Sequence, residues 1–219
     1  MIKLIMTIKD KLNNLKSKIP SSVVLVAVSK TKPNNMIMDA YDSGHRIFGE
    51  NRIQEMITKY ESLPKDIEWH MIGHLQRNKV KYIAPFVSLI HGVDSIKLLI
   101  EINKQAKINN RVIQCLLQIH IAQEETKYGI RYSELESVLN YSESLEYINL
   151  VGLMGMATFT EDEQVINLEF KNLKKKYDFY KSKYNFSVLS IGMSGDYQNA
   201  INFGSTMIRV GSKIFGERK

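Results

Sequence analysis

The chain has 219 residues, of which 44% are hydrophobic, with one cysteine and a formal net charge of +7 at pH 7. A single cysteine excludes an internal disulfide and a cysteine zinc cluster, and no apolar run is long enough to span a membrane. The 30 lysine and arginine residues are scattered, without the basic stripe of a nucleic-acid-binding protein, so we expect no nucleic-acid and no membrane partner.

The first residues carry charges within their apolar part, which indicates an amphipathic helix over about residues 2–18 rather than a signal peptide. We therefore expect a cytoplasmic protein. Strand-like and helix-like segments then alternate along the chain, as is typical of a parallel α/β fold. The predicted strands are 23–30, 47–50, 68–73, 87–93, 112–120, 150–157, 188–193 and 207–211, and the predicted helices include 35–43, 53–62, 96–108, 133–142 and 162–181.

Eight strands with intervening helices favour a (β/α)8 TIM barrel over an open doubly wound sheet. Only residues 213–219 follow the eighth strand, which is too few for a full outer helix, so we expect the N-terminal helix to cover that gap. The chain has four prolines and no linker, repeat or low-complexity block. The sequence therefore predicts a single domain over residues 1–219.

Lys30 follows the first predicted strand, which is continuously apolar and β-branched, as expected of a strand buried on both faces. Removal from water disfavours the charged form of a lysine, and a neutral amine attacks an aldehyde. One interpretation is therefore a Schiff-base lysine. The other is that Lys30 and Lys32 are solvated turn residues.

The seventh and eighth predicted strands end in small and polar residues, among them Ser194, Gly211 and Ser212. A small-residue turn that opens a helix offers backbone N–H groups and a helix dipole to an anion. The loops after these two strands form the usual phosphate site of a barrel enzyme. The alternative is that the glycines only permit tight turns.

The histidines give only weak evidence for a metal site or a catalytic base. His70 and His74 lie four residues apart, but no nearby aspartate or cysteine completes a ligand set, so we expect no metal site. His120 at a strand end is interpreted as a satisfied polar residue rather than a catalytic base. A Ser-His-Asp triad is not supported, because the chain has no Gly-x-Ser-x-Gly motif.

An ordered set of motifs resembles a known family. The motifs are AVSKTKP at 27–33, FGEN at 48–51, WHMIGHLQRNK at 69–79, GLM at 152–154, GMS at 192–194 and RVG at 209–211. Over almost its entire length the chain resembles the YggS/PROSC family of pyridoxal phosphate homeostasis proteins. The fold of that family is similar to the N-terminal barrel domain of bacterial alanine racemase.

The resemblance implies that Lys30 holds pyridoxal 5'-phosphate as an internal aldimine and that Arg209 faces the pyridine nitrogen. A guanidinium there keeps that nitrogen unprotonated, which weakens the ring as an electron sink. The remaining implied cofactor-binding residues are Met193, Ser194, Gly211 and Ser212 for the phosphate, and Asn51, Ile72 and Met154 beside the ring.

Two positions depart from the family pattern. Arg52 stands where a tyrosine often follows the Glu-Asn pair, and it either adds a positive charge near the cofactor or points to solvent. Ser212 stands where threonine is common, and serine keeps the hydroxyl that a phosphate site uses.

The resemblance implies a non-catalytic carrier and regulator of pyridoxal phosphate in vitamin B6 homeostasis, with apo-enzymes as possible recipients. Alanine racemase takes its second base from a C-terminal β domain of the partner subunit, whereas this chain stops after the barrel; we expect a monomer. One alternative is a single-domain amino-acid racemase that uses His70, His74, His120 or a tyrosine as second base. Another is a barrel enzyme that uses Lys30 on a phosphate ligand without this cofactor.

Overall fold

A computed structural model describes residues 6–217 and contains a closed barrel of eight parallel strands. Each strand pairs with its neighbours in chain order, and the last strand closes the barrel by pairing Val26 with Arg209 in register. The strands are β1 Val24–Val28, β2 Ile47–Glu50, β3 Glu68–Met71, β4 Leu89–Val93, β5 Ile113–Ile119, β6 Ile148–Gly155, β7 Val188–Ser190 and β8 Met207–Val210. The predicted TIM barrel is confirmed.

Helices follow the strands and surround the barrel. In the described residues they are α1 Ile8–Lys16, α2 Asn34–Asp42, α3 Ile53–Ser62, α4 Val80–Ile83, α5 Ile96–Ile108, α6 Leu135–Ser142, α7 Glu163–Tyr184, α8 Tyr197–Asn202 and α9 Ser212–Phe215. A turn of 3-10 helix, Arg77–Lys79, precedes α4. None of these helices combines the length and apolarity needed to cross a membrane.

The strands are buried on both faces, which explains their continuous apolar runs. All five residues of β4 are buried, for example. One face of the sheet packs against the helices, while the other fills the barrel interior with a layer of large apolar side chains. That inner layer consists of Val26, Leu89, Leu116, Val151, Met154 and Met207.

The N-terminal helix is present but shorter than predicted, since it spans Ile8–Lys16 rather than about residues 2–18. It begins after Thr7, whose hydroxyl accepts from the Asp10 backbone N–H while the Asp10 carboxylate accepts from the Thr7 N–H, forming a capping box. It packs against α2 and the short α9, covering the place where a full outer helix is missing. Residues 2–5 of the predicted helix lie outside the described residues.

Candidate functional site

A cavity of about 490 Å³ opens at the carboxyl ends of the strands. This is the face on which barrel enzymes place their functional groups. The lining comes from the ends of β1 and β8 and from the segments that follow β1, β2, β3, β6, β7 and β8. It consists of Val28, Lys30, Lys32, Asn51, Ile72, Met156, Met193, Ser194, Gly195, Arg209, Gly211, Ser212, Gly216 and Glu217.

Eight of the nine cofactor-binding residues predicted from sequence line this cavity. The ninth, Met154, is fully buried in the inner layer of the barrel and does not line it. Met156 lines the cavity instead and packs against the same inner layer. Met154 lies within β6 and points into the barrel, whereas Met156 follows the end of that strand and reaches the cavity wall.

The loops after β7 and β8 are joined by a direct contact. The Gly211 backbone N–H donates to Ser194 Oγ at 3.1 Å. The Met193 N–H donates to Asp196 Oδ1 at 2.5 Å, which shapes the β7 loop. The backbone N–H groups of Ser194, Gly195 and Ser212 have no acceptor among residues 6–217, so these three donors remain for an anionic ligand.

Two glycines allow close packing around these loops. Gly192 has φ +95°, and a Cβ atom there would lie 2.6 Å from Ala200 Cβ. At Gly211 a Cβ would lie 3.1 Å from the Val28 carbonyl oxygen. Gly192 is therefore required for both its conformation and its space, and a side chain at Gly211 would make a tight contact with β1.

Arg209 places a buried positive charge at the cavity. One terminal nitrogen donates to the Ser190 carbonyl at 2.8 Å and to Ser190 Oγ at 2.6 Å, and the other donates to the Gly155 carbonyl at 3.0 Å. Burial lowers the pKa of Arg209 to about 10, partly offset by Asp196, so the guanidinium stays charged at neutral pH. All three acceptors are uncharged, which leaves the site attractive to an anion.

Two buried histidines extend this arrangement across the barrel interior. His91 Nδ1 lies 3.2 Å from Ser190 Oγ, and His91 Nε2 lies 3.1 Å from His70 Nδ1. Burial lowers the pKa of His70 to about 3 and that of His91 well below its usual range, so both rings are neutral at physiological pH. Neither histidine lines the cavity, and they support Arg209 from below through Ser190.

Lys30 follows β1 and lines the cavity in a half-buried position. Its neighbour Thr31 has φ +63°, a left-handed conformation that is uncommon for a β-branched residue. Lys32 also lines the cavity, and its ammonium donates to the carbonyls of Gly216 and Glu217 at 3.0 Å each. The loop after β1 is thus tied to the segment that follows α9.

The other sequence candidates lie away from the cavity. His74 Nδ1 is 3.1 Å from Asp94 Oδ2, and its ring stacks on Tyr128 with centroids 3.8 Å apart. His120 Nε2 is 3.1 Å from the Glu124 carbonyl. Arg52 is exposed outside the lining residues. In the part of the chain that the structure describes, no three His, Cys, Asp or Glu side chains form a group that could hold a metal ion.

Sequence reasoning missed several polar groups near the site. Glu50 and Lys59 are both buried, and they contact the turn that carries Lys30. The spacing of Glu55 and Lys59, one helical turn apart on α3, was the available signal for that cluster. For His91 the signal was a polar residue inside the apolar run of β4.

Comparison with known proteins places the chain in a family. Residues 5–219 match the family "Alanine racemase, N-terminal domain". The chain is 40% identical to the pyridoxal phosphate homeostasis protein of Aquifex aeolicus over 198 residues, covering 89% of this chain and 87% of that protein. The chain belongs to the family of pyridoxal phosphate homeostasis proteins. The human member is 38% identical, with 89% of this chain and 76% of the human protein covered.

Solved structures of the same family have the same architecture. PipY of Synechococcus elongatus without pyridoxal phosphate superimposes with a TM-score of 0.92 at 33% identity, covering 96% of this chain and all of PipY. PipY with pyridoxal phosphate bound gives 0.88 at the same identity and coverage. Alanine racemase of Clostridium difficile, at 15% identity and a TM-score of 0.79, shares the fold over 97% of this chain and 57% of the racemase.

Proposed function

We propose that this protein binds pyridoxal 5'-phosphate covalently at Lys30 and acts as a non-catalytic carrier and regulator of that cofactor in vitamin B6 homeostasis. The observation that carries the proposal is the cavity itself. It brings together an amine, a buried guanidinium and two loops with unused backbone donors. The related PipY has been solved with pyridoxal phosphate bound, and it has the same fold as this chain.

The loops after β7 and β8 would hold the phosphate. The unused N–H groups of Ser194, Gly195 and Ser212 supply donors, and the hydroxyl groups of the two serines add more. Both α8 and α9 are short, so the loop amides rather than a helix dipole carry this recognition. Met193 flanks the same loop at the cavity wall.

Arg209 would face the ring. Its terminal nitrogens are fixed by Ser190 and Gly155, which leaves little freedom for the guanidinium plane. A fixed cation at the ring nitrogen keeps that nitrogen unprotonated, because a proton there would place two positive charges together. Asn51, Ile72 and Met156 complete the wall beside the ring.

Lys30 would supply the covalent anchor. When bound, pyridoxal phosphate provides an aldehyde, and the lysine amine condenses with it to form a C=N bond with release of water. The cavity volume of about 490 Å³ is within the range of small-molecule sites. An incoming amine that displaces Lys30 from this bond would release the cofactor, which gives a route of transfer to apo-enzymes.

The lining supports a carrier more than the alternative racemase. Racemisation requires a second acid or base opposite the lysine. No histidine, tyrosine or cysteine is among the cavity-lining residues of the described chain. The ionisable residues that line it besides Lys30 are Arg209, the exposed Glu217, and Lys32, whose ammonium donates to two backbone carbonyls. The three histidines considered from sequence are held elsewhere, His70 by His91, His74 by Asp94 and His120 by the Glu124 carbonyl.

The first test is the absorption spectrum of the wild type and of Lys30→Ala, each mixed with pyridoxal 5'-phosphate. We expect an imine band in the wild type that is lost in the variant. An unchanged band in Lys30→Ala would move the anchor to another lysine, and no band in either protein would refute the cofactor assignment. Turnover of amino acids by the wild type that Lys30→Ala abolishes would favour the racemase.

A further inference from the structure

The turn that carries Lys30 is held on both sides by a cluster of charged side chains from β2 and α3. Before Lys30, Ser29 is fully buried and its hydroxyl donates to Glu50 Oε1 at 2.6 Å. After Lys30, the Thr31 backbone N–H donates to Glu55 Oε1 at 2.5 Å. The two residues that flank the cavity lysine are thus each bound to a different carboxylate.

Lys59 joins these contacts into one network. Its ammonium donates to Glu50 Oε1 at 2.8 Å, to Glu55 Oε1 at 2.6 Å and to the Ser29 carbonyl at 2.8 Å. These three acceptors match the three donors of an ammonium group. Lys59 therefore binds both carboxylates and the backbone next to Lys30 at the same time.

The network is costly to bury. The Lys59 side chain is 5% exposed and that of Glu50 is fully buried. One oxygen of Glu50, Oε2, has no hydrogen-bond partner among the described residues. Burial raises the pKa of Glu50 even though Lys59 and Ser29 act in the opposite direction. Apolar residues of similar size often stabilise a core as well or better, so stability alone is a weak reason for such a cluster.

The network also supports the unusual backbone of the turn. Thr31 adopts φ +63°, a conformation that is unfavourable for a β-branched residue and persists only where the surroundings enforce it. The Glu55 carboxylate on the Thr31 N–H and Lys59 on the Ser29 carbonyl are the side-chain contacts that enforce it. Such strain clusters at functional sites.

We propose that Glu50, Glu55 and Lys59 are positioning residues for Lys30, holding the turn of residues 29–31 in the conformation that places its amine at the cavity. The inference rests on the proposed function, because it assigns to the network the capture of an aldehyde by that amine. The proposed phosphate donors lie on other loops, after β7 and β8, and among the proposed ring contacts only Asn51 is next in sequence to a residue of the network. The network therefore affects the covalent step and leaves non-covalent binding in place.

Two variants and two ligands test this role. Glu55→Ala removes the contact to Thr31, and Lys59→Met removes all three ammonium contacts. Each is titrated with pyridoxal 5'-phosphate, followed by the imine band, and with pyridoxine 5'-phosphate, which has an alcohol in place of the aldehyde. We expect affinity for the aldehyde to fall about tenfold, as loss of a charge-assisted hydrogen bond predicts, and affinity for the alcohol to stay at the wild-type value.

Matched controls lie on exposed surfaces. Glu61→Ala makes the same change at an exposed position near the end of α3, and Lys175→Met removes an exposed ammonium on α7. Both should bind the two ligands as the wild type does. Because Glu55 is partly exposed, Glu55→Ala decides the outcome if Lys59→Met does not fold.

The outcomes separate the two proposals. Variants that lose both ligands equally, or that keep full affinity for the aldehyde, overturn the positioning role while leaving the cofactor assignment intact. A wild type without an imine band overturns both. A selective loss of aldehyde capture in Glu55→Ala, with its thermal unfolding close to that of Glu61→Ala, supports the positioning role over a merely structural one.

Discussion

The Ser194 hydroxyl accepts a hydrogen bond from the Gly211 backbone N–H at 3.1 Å, which links the loops after β7 and β8. These loops are separated by α8 in sequence, but the closed barrel makes their strands neighbours. The contact fixes the spacing between the two sets of backbone donors that would surround a phosphate. Ser194 links the two loops, and in the proposed site it would also donate to the ligand.

Ser194→Ala should weaken binding of pyridoxal 5'-phosphate about tenfold, because it removes a donor to the phosphate and leaves the Gly211 N–H without its acceptor. Binding of pyridoxal, which lacks the phosphate, should change much less. Titration of both compounds measures the difference. Ser144→Ala is the control, since that hydroxyl donates to the Tyr141 carbonyl on an exposed turn. Equal losses for the two compounds would argue against a phosphate contact.

Ser190→Ala tests the support beneath Arg209. The substitution removes the 2.6 Å hydrogen bond from Arg209 and the contact with His91, while the Ser190 carbonyl still accepts from the guanidinium. We expect a loss of about 1–3 kcal/mol in the free energy of unfolding, because a buried charged donor loses an acceptor.

Denaturant unfolding of the apo-protein measures this loss. Ser137→Ala, at an exposed hydroxyl that donates to the Glu134 carbonyl, serves as the control and should lie within about 0.5 kcal/mol of the wild type. A Ser190→Ala protein as stable as that control would show that the chain of contacts from Arg209 through Ser190 and His91 to His70 contributes little to the free energy of unfolding.

Most of the residues that line the cavity were predictable from sequence, whereas the buried contacts that support them were not. Parallel strands in a barrel end on one face, so Lys30, Ser194 and Arg209 were expected together once eight strands had been assigned. Apolar runs also located α5 at Ile96–Ile108 and β2 at Ile47–Glu50 with the observed bounds. The strand β4 also ends at Val93 as predicted, whereas the remaining strands end earlier than predicted, because their last residues turn into the cavity loops.

The depth of a side chain within the barrel depends on strand tilt and stagger, which local sequence does not encode. Met154 and Met156 are the same residue type two positions apart. Only the three-dimensional structure shows that Met154 lies in the inner layer and Met156 in the cavity wall. Long-range contacts such as His91 with Ser190, 99 residues apart, depend on the same geometry. The family resemblance indicated the cofactor-binding residues but not these supporting contacts.

Gly192→Ala should destabilise the protein and weaken the loop after β7. The native φ of +95° is unfavourable for alanine, and the added Cβ would lie 2.6 Å from Ala200 Cβ. We expect a loss of about 1–3 kcal/mol in the free energy of unfolding. Gly195→Ala provides the matched control in the same loop, because a Cβ at Gly195 meets no atom within 4 Å. Thermal unfolding of the two variants should therefore differ clearly, and similar values would contradict the strain argument.

The pH dependence of stability provides a separate prediction, centred on His45. Burial, with Lys16 and Arg46 nearby, lowers the pKa of His45 from 6.5 to about 4, and its Nε2 lies 2.8 Å from the Ile47 carbonyl. Between these two values the unfolded chain binds a proton at His45 that the folded chain does not. The free energy of unfolding must therefore fall as the pH falls through this window, by up to about 1.4 kcal/mol per pH unit.

His45→Gln keeps a donor for the Ile47 carbonyl but cannot take up a proton. We expect its stability to decrease less steeply than that of the wild type as the pH is lowered from 6.5 to 4. Part of the slope remains, because burial also lowers the pKa of His70, to about 3, and that of His91. Urea unfolding at several pH values gives both curves. Parallel curves would show that His45 takes up its proton equally in the folded and unfolded states.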